Sequence, residues 1–142
     1  VVEWGYKFHM NDVNAAIGLT NLKEVEKNVL DKHKANACFY NKELKGVNGV
    51  TLLENKEEYD SAYWIYTIKV NKQQEFMKMM QDKGVMVSRV HERNDKHSCV
   101  SEYRSALPNL DKVVNEMICI PVGWWVTEEQ REYIVQCIKE GW

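Results

Sequence analysis

Apolar side chains recur every three or four positions between residues 13 and 44, with charged residues between them. This spacing predicts one long amphipathic helical region. Asn11 is a suitable N-cap, while Gly46 and Gly49 are expected to end the helical region. Gly18 and Thr20 are weak helix formers, so a break is expected near residues 19–24. The predicted buried stripe consists of Val13, Ala16, Ile17, Leu22, Val25, Val29, Ala37, Tyr40 and Leu44.

The rest of the chain alternates between strand-like and helix-like patterns. Aromatic and β-branched residues predict strands at residues 61–70, 85–90 and 118–120. Helices are predicted at residues 73–83, before Gly84, and from an Asn109 cap through Met117. Thr127 and Gln130 match a capping box, and the helix that follows should bury Tyr133, Ile134, Cys137 and Ile138. This order predicts an α+β fold, a small and mostly antiparallel sheet with helices on one face.

Composition narrows the function classes. The chain has 142 residues, 44% hydrophobic and 28% charged, which is typical of one folded domain. A net charge of -2 gives no electrostatic basis for binding nucleic acid or an anionic membrane. No apolar run approaches the ~20 residues of a membrane span, and no secretory signal is visible. The four cysteines form no C-x-x-C pair, so reduced thiols of a cytoplasmic protein are expected.

Residues 91–105 have no clear period and are expected to form a long polar loop, of a kind that usually has a functional role. The loop contains His91, Glu92, Arg93, Asp95, His97 and Cys99. A metal site is disfavoured because these residues have no recognised ligand spacing, and a solvated loop without a ligand is the plain alternative. Trp124 and Trp125 offer either a platform for stacking a sugar or, preferably, a contact with a neighbouring domain.

Several motifs occur in a recognisable order along the chain. Residues 5–22 match G-Y-N-x-R-M-x-D-x-x-A-A-x-G-L-x-Q-L, with Lys7 in place of the Asn, His9 in place of the Arg and Asn21 in place of the Gln. Residues 37–44 match A-x-x-Y-x-x-x-L, and residues 84–91 match G-V-x-V-S-x-V-H. L-P-N-x-D at residues 107–111 and I-P-V-G…T-E-E-Q at residues 120–130 follow. Together they resemble the DegT/StrS group of pyridoxal-phosphate (PLP) sugar aminotransferases, in its C-terminal part only.

The resemblance implies a function for the complete protein. It implies a PLP-dependent transfer of an amino group, from glutamate, to a nucleotide-linked keto-sugar, by a homodimer. Residues 1–142 would be the small C-terminal domain of that enzyme, and the lysine that holds PLP would lie in a missing N-terminal domain. The isolated chain would then contain no catalytic residue, bind no PLP and be inactive. A PLP-dependent sugar dehydratase of the same family and a stand-alone α+β binding or regulatory module remain alternatives.

The resemblance also implies roles for four residues. Lys7 and His9 would contact the phosphate of PLP in the partner subunit's site, although a lysine cannot reproduce the hydrogen-bond acceptor of the family's Asn. The alternative is that both are solvated residues of a turn. His91 and Glu92, at the start of the polar loop, would contact the nucleotide-sugar, and a histidine can exchange a proton with a hydroxyl or phosphate at neutral pH.

Overall fold

A computed structural model describes residues 2–3, 5–6, 9–56 and 58–142. Its first helical region consists of α1 (Asp12–Glu24), a π-helical turn (Val25–Leu30) and α2 (Asp31–Glu43). Asn11 caps α1 as predicted, since its side chain accepts a hydrogen bond of 2.9 Å from the Asn14 amide. The irregularity begins at Val25, directly after the predicted range of residues 19–24, and Thr20, whose hydroxyl donates to the Ala16 carbonyl, lies within α1.

The predicted buried stripe is correct only in α2. Ala37, Tyr40 and Leu44 are fully buried there, whereas α1 buries none of its residues. The apolar side chains Val13, Ile17 and Leu22 are exposed to solvent. The helical period in α1 therefore predicted an apolar face that has no partner within the described part of the chain.

Three antiparallel strands form the sheet, in the order β1-β2-β3. They are β1 (Val50–Leu52), β2 (Tyr66–Val70) and β3 (Met117–Ile120). The register pairs Val50 with Val70 and Tyr66 with Ile120. β1 was not predicted, because three residues carry too little alternation to reveal a strand. β2 begins five residues later than predicted, after a left-handed residue at Tyr63.

The prediction of a strand at residues 85–90 is wrong. After α3 (Gln73–Asp82) and the left-handed Gly84, the chain makes only an isolated bridge to β3. The Ser88 amide donates to the Cys119 carbonyl at 3.2 Å, and the Cys119 amide donates to the Ser88 carbonyl at 2.8 Å. Residues 91–105 then contain two short 3₁₀ segments, Asn94–Lys96 and Ser98–Tyr103.

The last two helices confirm one predicted cap and correct another. α4 (Pro108–Glu116) starts with Pro108 in its first turn, so Asn109 lies inside the helix and is not its cap. α5 (Glu128–Lys139) has the predicted capping box of Thr127 and Gln130. Ile134, Cys137 and Ile138 are buried as predicted, but Tyr133 is exposed and its hydroxyl donates to the Lys83 carbonyl at 3.0 Å.

One hydrophobic core joins the sheet to the helices. Tyr66, Ile68 and Val70 alternate along one face of β2 and pack in the same cluster as residues of α2, α3 and α5. The α+β fold with a small antiparallel sheet is confirmed. Within the described ranges, no helix is long and apolar enough to cross a membrane. All four cysteines are free thiols, as expected.

Candidate functional site

The turn before α1 carries the first predicted contact. Lys7 lies outside the described residues. His9 is exposed, and its backbone carbonyl is 3.5 Å from the side-chain nitrogen of Asn14 in the first turn of α1. Helix amides and the helix dipole attract anions at a helix N-terminus, and His9 lies shortly before α1 in the sequence. The contact of His9 with the phosphate of PLP stays a prediction.

The lysines do not offer an amine suited to holding PLP covalently. None of the lysines in the described ranges is buried. Two of the less exposed ones are in ion pairs, Lys34 with Asp60 at 2.6 Å and Lys83 with Glu140. Hydrogen bonds to these carboxylates raise the pKa of both amines. A nucleophilic lysine needs the opposite shift, toward the neutral amine, so neither residue fits this role.

The second predicted contact begins at His91. The His91 ring is exposed and makes an edge-type contact with the Trp64 ring, with 6.0 Å between the ring centroids and an angle of 61° between the planes. Trp64 is itself 67% exposed. Glu92 follows and makes an exposed ion pair of 3.2 Å with Lys96. An imidazole, a carboxylate and an aromatic face are thus accessible on one surface, which is a suitable combination for a polar ligand with flat or apolar faces.

Arginines fix the segment that follows His91. Arg93 donates to Asp95 at 2.6 Å and also pairs with Asp111 at α4. Arg104 donates to the carbonyls of Asp95 and Lys96 at 2.6 Å and 3.0 Å. The hydrogen bond from Arg93 lowers the pKa of Asp95, so this carboxylate stays ionised and structural. The segment is therefore anchored by its own side chains, which sequence reasoning did not anticipate.

A metal site in this segment is not supported. Among the described residues, no three or more His, Cys, Asp or Glu side chains form a cluster that could hold a metal ion. The charged groups at residues 92–96 are instead used in ion pairs. The described ranges also contain no hydrogen bond, ion pair or ring contact that joins His9 to His91.

The turn before α5 exposes two tryptophans. Trp124 and Trp125 are 50% and 62% exposed and meet edge to face, with 5.8 Å between ring centroids. Buried Asn36 supports the turn from α2, since its amide nitrogen lies 3.2 Å from the carbonyls of both Val122 and Gly123. The predicted exposure of this pair is confirmed. The role of the pair, sugar stacking or contact with another domain, stays a prediction.

Sequence reasoning missed Trp64 as part of the site. It placed Trp64 inside a strand, where an aromatic residue is expected for packing alone. One feature of the sequence could have indicated its exposure. Three of the four residues from Tyr63 to Tyr66 are aromatic, and in a strand neighbouring side chains point to opposite faces, so they cannot all enter one core. Its neighbour His91 is 27 positions away in the sequence, so their contact required the fold.

Comparison with known proteins places this arrangement in a family. A sequence profile of the DegT/DnrJ/EryC1/StrS aminotransferase family matches residues 2–139. The structure is similar to that of the sugar aminotransferase CalS13 from Micromonospora echinospora, with a TM-score of 0.90 and 46% identity. It is equally similar to AtS13 from Actinomadura melliaura, again with a TM-score of 0.90 and 46% identity. Both matches cover 99% of this chain, but only 38% and 37% of those proteins.

A further relative has no assigned activity. Over 72 residues the chain is 31% identical to the uncharacterized protein MJ1066 of Methanocaldococcus jannaschii. This match covers 50% of the chain and 18% of that protein.

Proposed function

Because the chain belongs to the DegT/DnrJ/EryC1/StrS aminotransferase family, we propose that the protein containing it is a PLP-dependent sugar aminotransferase. This enzyme moves an amino group from glutamate to a keto-sugar that is attached to a nucleotide. The observation that carries the proposal is the exposed His91–Trp64 pair, in a chain that is 46% identical to a sugar aminotransferase.

His91 and Glu92 are assigned to the nucleotide-sugar. Both side chains are exposed, and the anchoring of the following residues by Arg93 and Arg104 limits how far they can move. The imidazole of His91 can donate to a phosphate oxygen, and it can donate to or accept from a sugar hydroxyl. Trp64 supplies an aromatic face beside it, on which an apolar face of a sugar or a base can stack.

His9 and Lys7 are assigned to the phosphate of PLP. The place of His9 in the sequence shortly before α1 supports its assignment, because helix N-termini attract anions. PLP supplies an electron sink that stabilises negative charge next to the transferred nitrogen. Membership of the family assigns the lysine that holds PLP to a part of the protein outside this chain, and the ion-paired Lys34 and Lys83 are unsuited to that role.

The chain is assigned as the small C-terminal domain of a homodimer. It spans 38% of the length of CalS13, which leaves room for a larger domain that holds PLP. The exposed apolar face of α1 and the exposed Trp124–Trp125 pair support contact with such a domain or with a second subunit.

The complete protein with His91→Ala tests the substrate assignment. We expect KM for the nucleotide-sugar to rise, or kcat/KM to fall by about tenfold, as for the loss of one hydrogen bond to a charged group. PLP occupancy, measured by absorbance after release of the cofactor, should stay near the wild-type value, because His91 is not assigned to PLP.

His97→Ala is the matched control, a histidine of the same segment to which no ligand contact is assigned. It should leave kcat/KM within about twofold of wild type, since substitutions away from a site have small effects. Loss of PLP from His91→Ala with unchanged use of the sugar would contradict the assignment. A product that has lost a hydroxyl group without gaining nitrogen would identify a dehydratase instead.

A further inference from the structure

Tyr63 has a backbone conformation that its side chain does not favour. Its φ is 47°, and the described ranges contain only one other non-glycine residue with positive φ, Lys72. A bulky aromatic residue is rarely found in this left-handed region, because its Cβ crowds the backbone. Such a conformation persists only where the surrounding structure holds it.

Three hydrogen bonds and one ring contact hold Tyr63. Its amide donates to Ser61 Oγ at 3.2 Å, and its hydroxyl accepts from the Asn55 side chain at 2.9 Å. Its ring contacts the buried Tyr66 ring, with 6.1 Å between centroids. Its carbonyl accepts from Nδ1 of His33 at 3.0 Å. The first two bonds are exposed to solvent, whereas the bond from His33 is partly buried.

The surroundings of His33 explain why a histidine occupies this position. It lies on α2 and is 7% exposed. Since a carbonyl oxygen can only accept, Nδ1 carries a proton, and Nε2 is left buried without a partner. Its other neighbour is the edge of Trp125, with 6.4 Å between ring centroids. An apolar side chain would pack here without an unpaired nitrogen, so the donor at Nδ1 accounts for the histidine.

The residue after Tyr63 is Trp64, which contacts His91. Because Trp64 is mostly exposed, its own packing does little to orient it, and the direction in which it leaves the chain depends on the backbone of Tyr63. We infer that His33 is a positioning residue: by holding Tyr63 in the left-handed conformation, it keeps Trp64 against His91. The relevance of this to substrate rests on the proposed function, but the positioning itself does not.

The positioning is tested first by NMR, without reference to activity. The complete protein is labelled with [¹³Cε1]histidine, and the His91 signal is assigned as the one missing from His91→Ala. The Trp64 ring current should shift this signal, and Trp64→Ala should remove the shift. His33→Leu should move the His91 signal toward its position in Trp64→Ala. His33→Asn, whose amide donor lies near the position of Nδ1, should leave it near the wild-type position.

An unchanged His91 signal in folded His33→Leu would overturn the inference. If His33→Leu does not fold, His33→Gln decides, because it keeps a polar side chain but places its amide away from the Tyr63 carbonyl. A shifted His91 signal in His33→Gln supports the inference, and a wild-type signal overturns it.

Steady-state kinetics then tests the effect on substrate. His33→Leu should raise KM for the nucleotide-sugar about fivefold, the effect of one misplaced hydrogen-bonding group, with kcat and PLP occupancy near wild type. In a Trp64→Ala background the same substitution should change KM less than twofold, because the effect passes through Trp64.

The two proposals fail in different ways. His33→Leu could lower kcat in both the wild-type and the Trp64→Ala backgrounds, with KM and the NMR signal unchanged. This result would show that His33 has a structural role only and would overturn the positioning role. Absence of any aminotransferase activity in the wild type would refute the proposed function, while the NMR result would still decide the positioning role.

Discussion

Replacement of Asn36 by alanine should destabilise the protein more than most substitutions of a single polar residue do. Asn36 is 3% exposed, and its amide nitrogen donates to the Val122 and Gly123 carbonyls, both at 3.2 Å. Its side-chain oxygen accepts from Arg131 at 3.2 Å. These bonds tie α2 to the turn that carries Trp124 and Trp125. Asn36→Ala removes all three and leaves no group of the new side chain to replace them.

The magnitude follows from the groups that lose their partners. Leaving a buried polar group unpaired costs about 1–3 kcal/mol, and water can reach part of this turn, so the three groups together should cost about 3 kcal/mol. For a chain of this size that corresponds to a decrease in Tm of about 10 °C. Asn36→Asp tests the same point with an unchanged shape. It keeps an acceptor for Arg131 but turns a carboxylate oxygen toward two carbonyl oxygens, so it should be at least as destabilising.

The assay is urea denaturation followed by circular dichroism, with the free energy of unfolding compared at equal m-value. Asn21→Ala is the control, an exposed asparagine of α1 whose loss should change stability by less than about 0.5 kcal/mol. A loss below about 0.5 kcal/mol for Asn36→Ala as well would refute the reasoning, because it would mean that the two carbonyls do not depend on Asn36.

Three further predictions follow from burial and exposure. Burial raises the pKa of Tyr40, whose hydroxyl donates to the Pro121 carbonyl at 2.8 Å. The contribution of this hydroxyl to stability should be complete below the pKa of tyrosine in the unfolded chain, about 10, and be lost as the pH rises above that value. In urea titrations, Tyr40→Phe should therefore lose less stability than the wild type between about pH 8 and pH 11. The chain alone should self-associate through the exposed apolar residues of α1 and Trp124–Trp125; light scattering should show this, and Ile17→Glu should reduce it, whereas a monomer at high concentration would contradict it. The chain alone should also bind no PLP at one-to-one stoichiometry and show no activity, and a single pyridoxyl-lysine trapped by borohydride would contradict that prediction.

The sequence correctly predicted those features that depend on contacts between residues close together in the chain. The Asn11 cap and the Thr127–Gln130 capping box are both present, because each is a contact between residues three positions apart. The α+β class followed from the order of helical and strand-like periods. The strand expected at residues 85–90 failed because an apolar run has the same appearance whether it pairs along its length or, as here, at Ser88 alone.

The exposed face of α1 shows a different limit of the pattern. Its apolar spacing predicted a buried stripe, but in the described part of the chain Val13, Ile17 and Leu22 are exposed. Periodicity identifies an apolar face and does not identify its partner. The sequence likewise does not identify a partner for Trp124 and Trp125, since an aromatic pair suits either a ligand or another domain.

The candidate site was predictable only through resemblance. His9 and His91 were selected by their positions in the family's motifs and Glu92 by its place next to His91 in the polar loop, and the fold leaves all three exposed. Trp64 and His33 were not selected, since their roles depend on contacts between distant residues. The His33–Tyr63 bond joins residues 30 positions apart, and no local preference of tyrosine indicates a left-handed conformation.

Transfer of isotopically labelled nitrogen tests the central claim most directly. The complete protein, saturated with PLP, is incubated with [¹⁵N]glutamate and a panel of nucleotide-linked keto-sugars, and the products are analysed by mass spectrometry. We expect ¹⁵N to appear on the sugar ring of at least one nucleotide-sugar, and only when PLP is present. His91→Ala should lower the rate at which the labelled product forms. A panel in which no sugar gains ¹⁵N, while the protein retains bound PLP, would contradict the proposed aminotransferase.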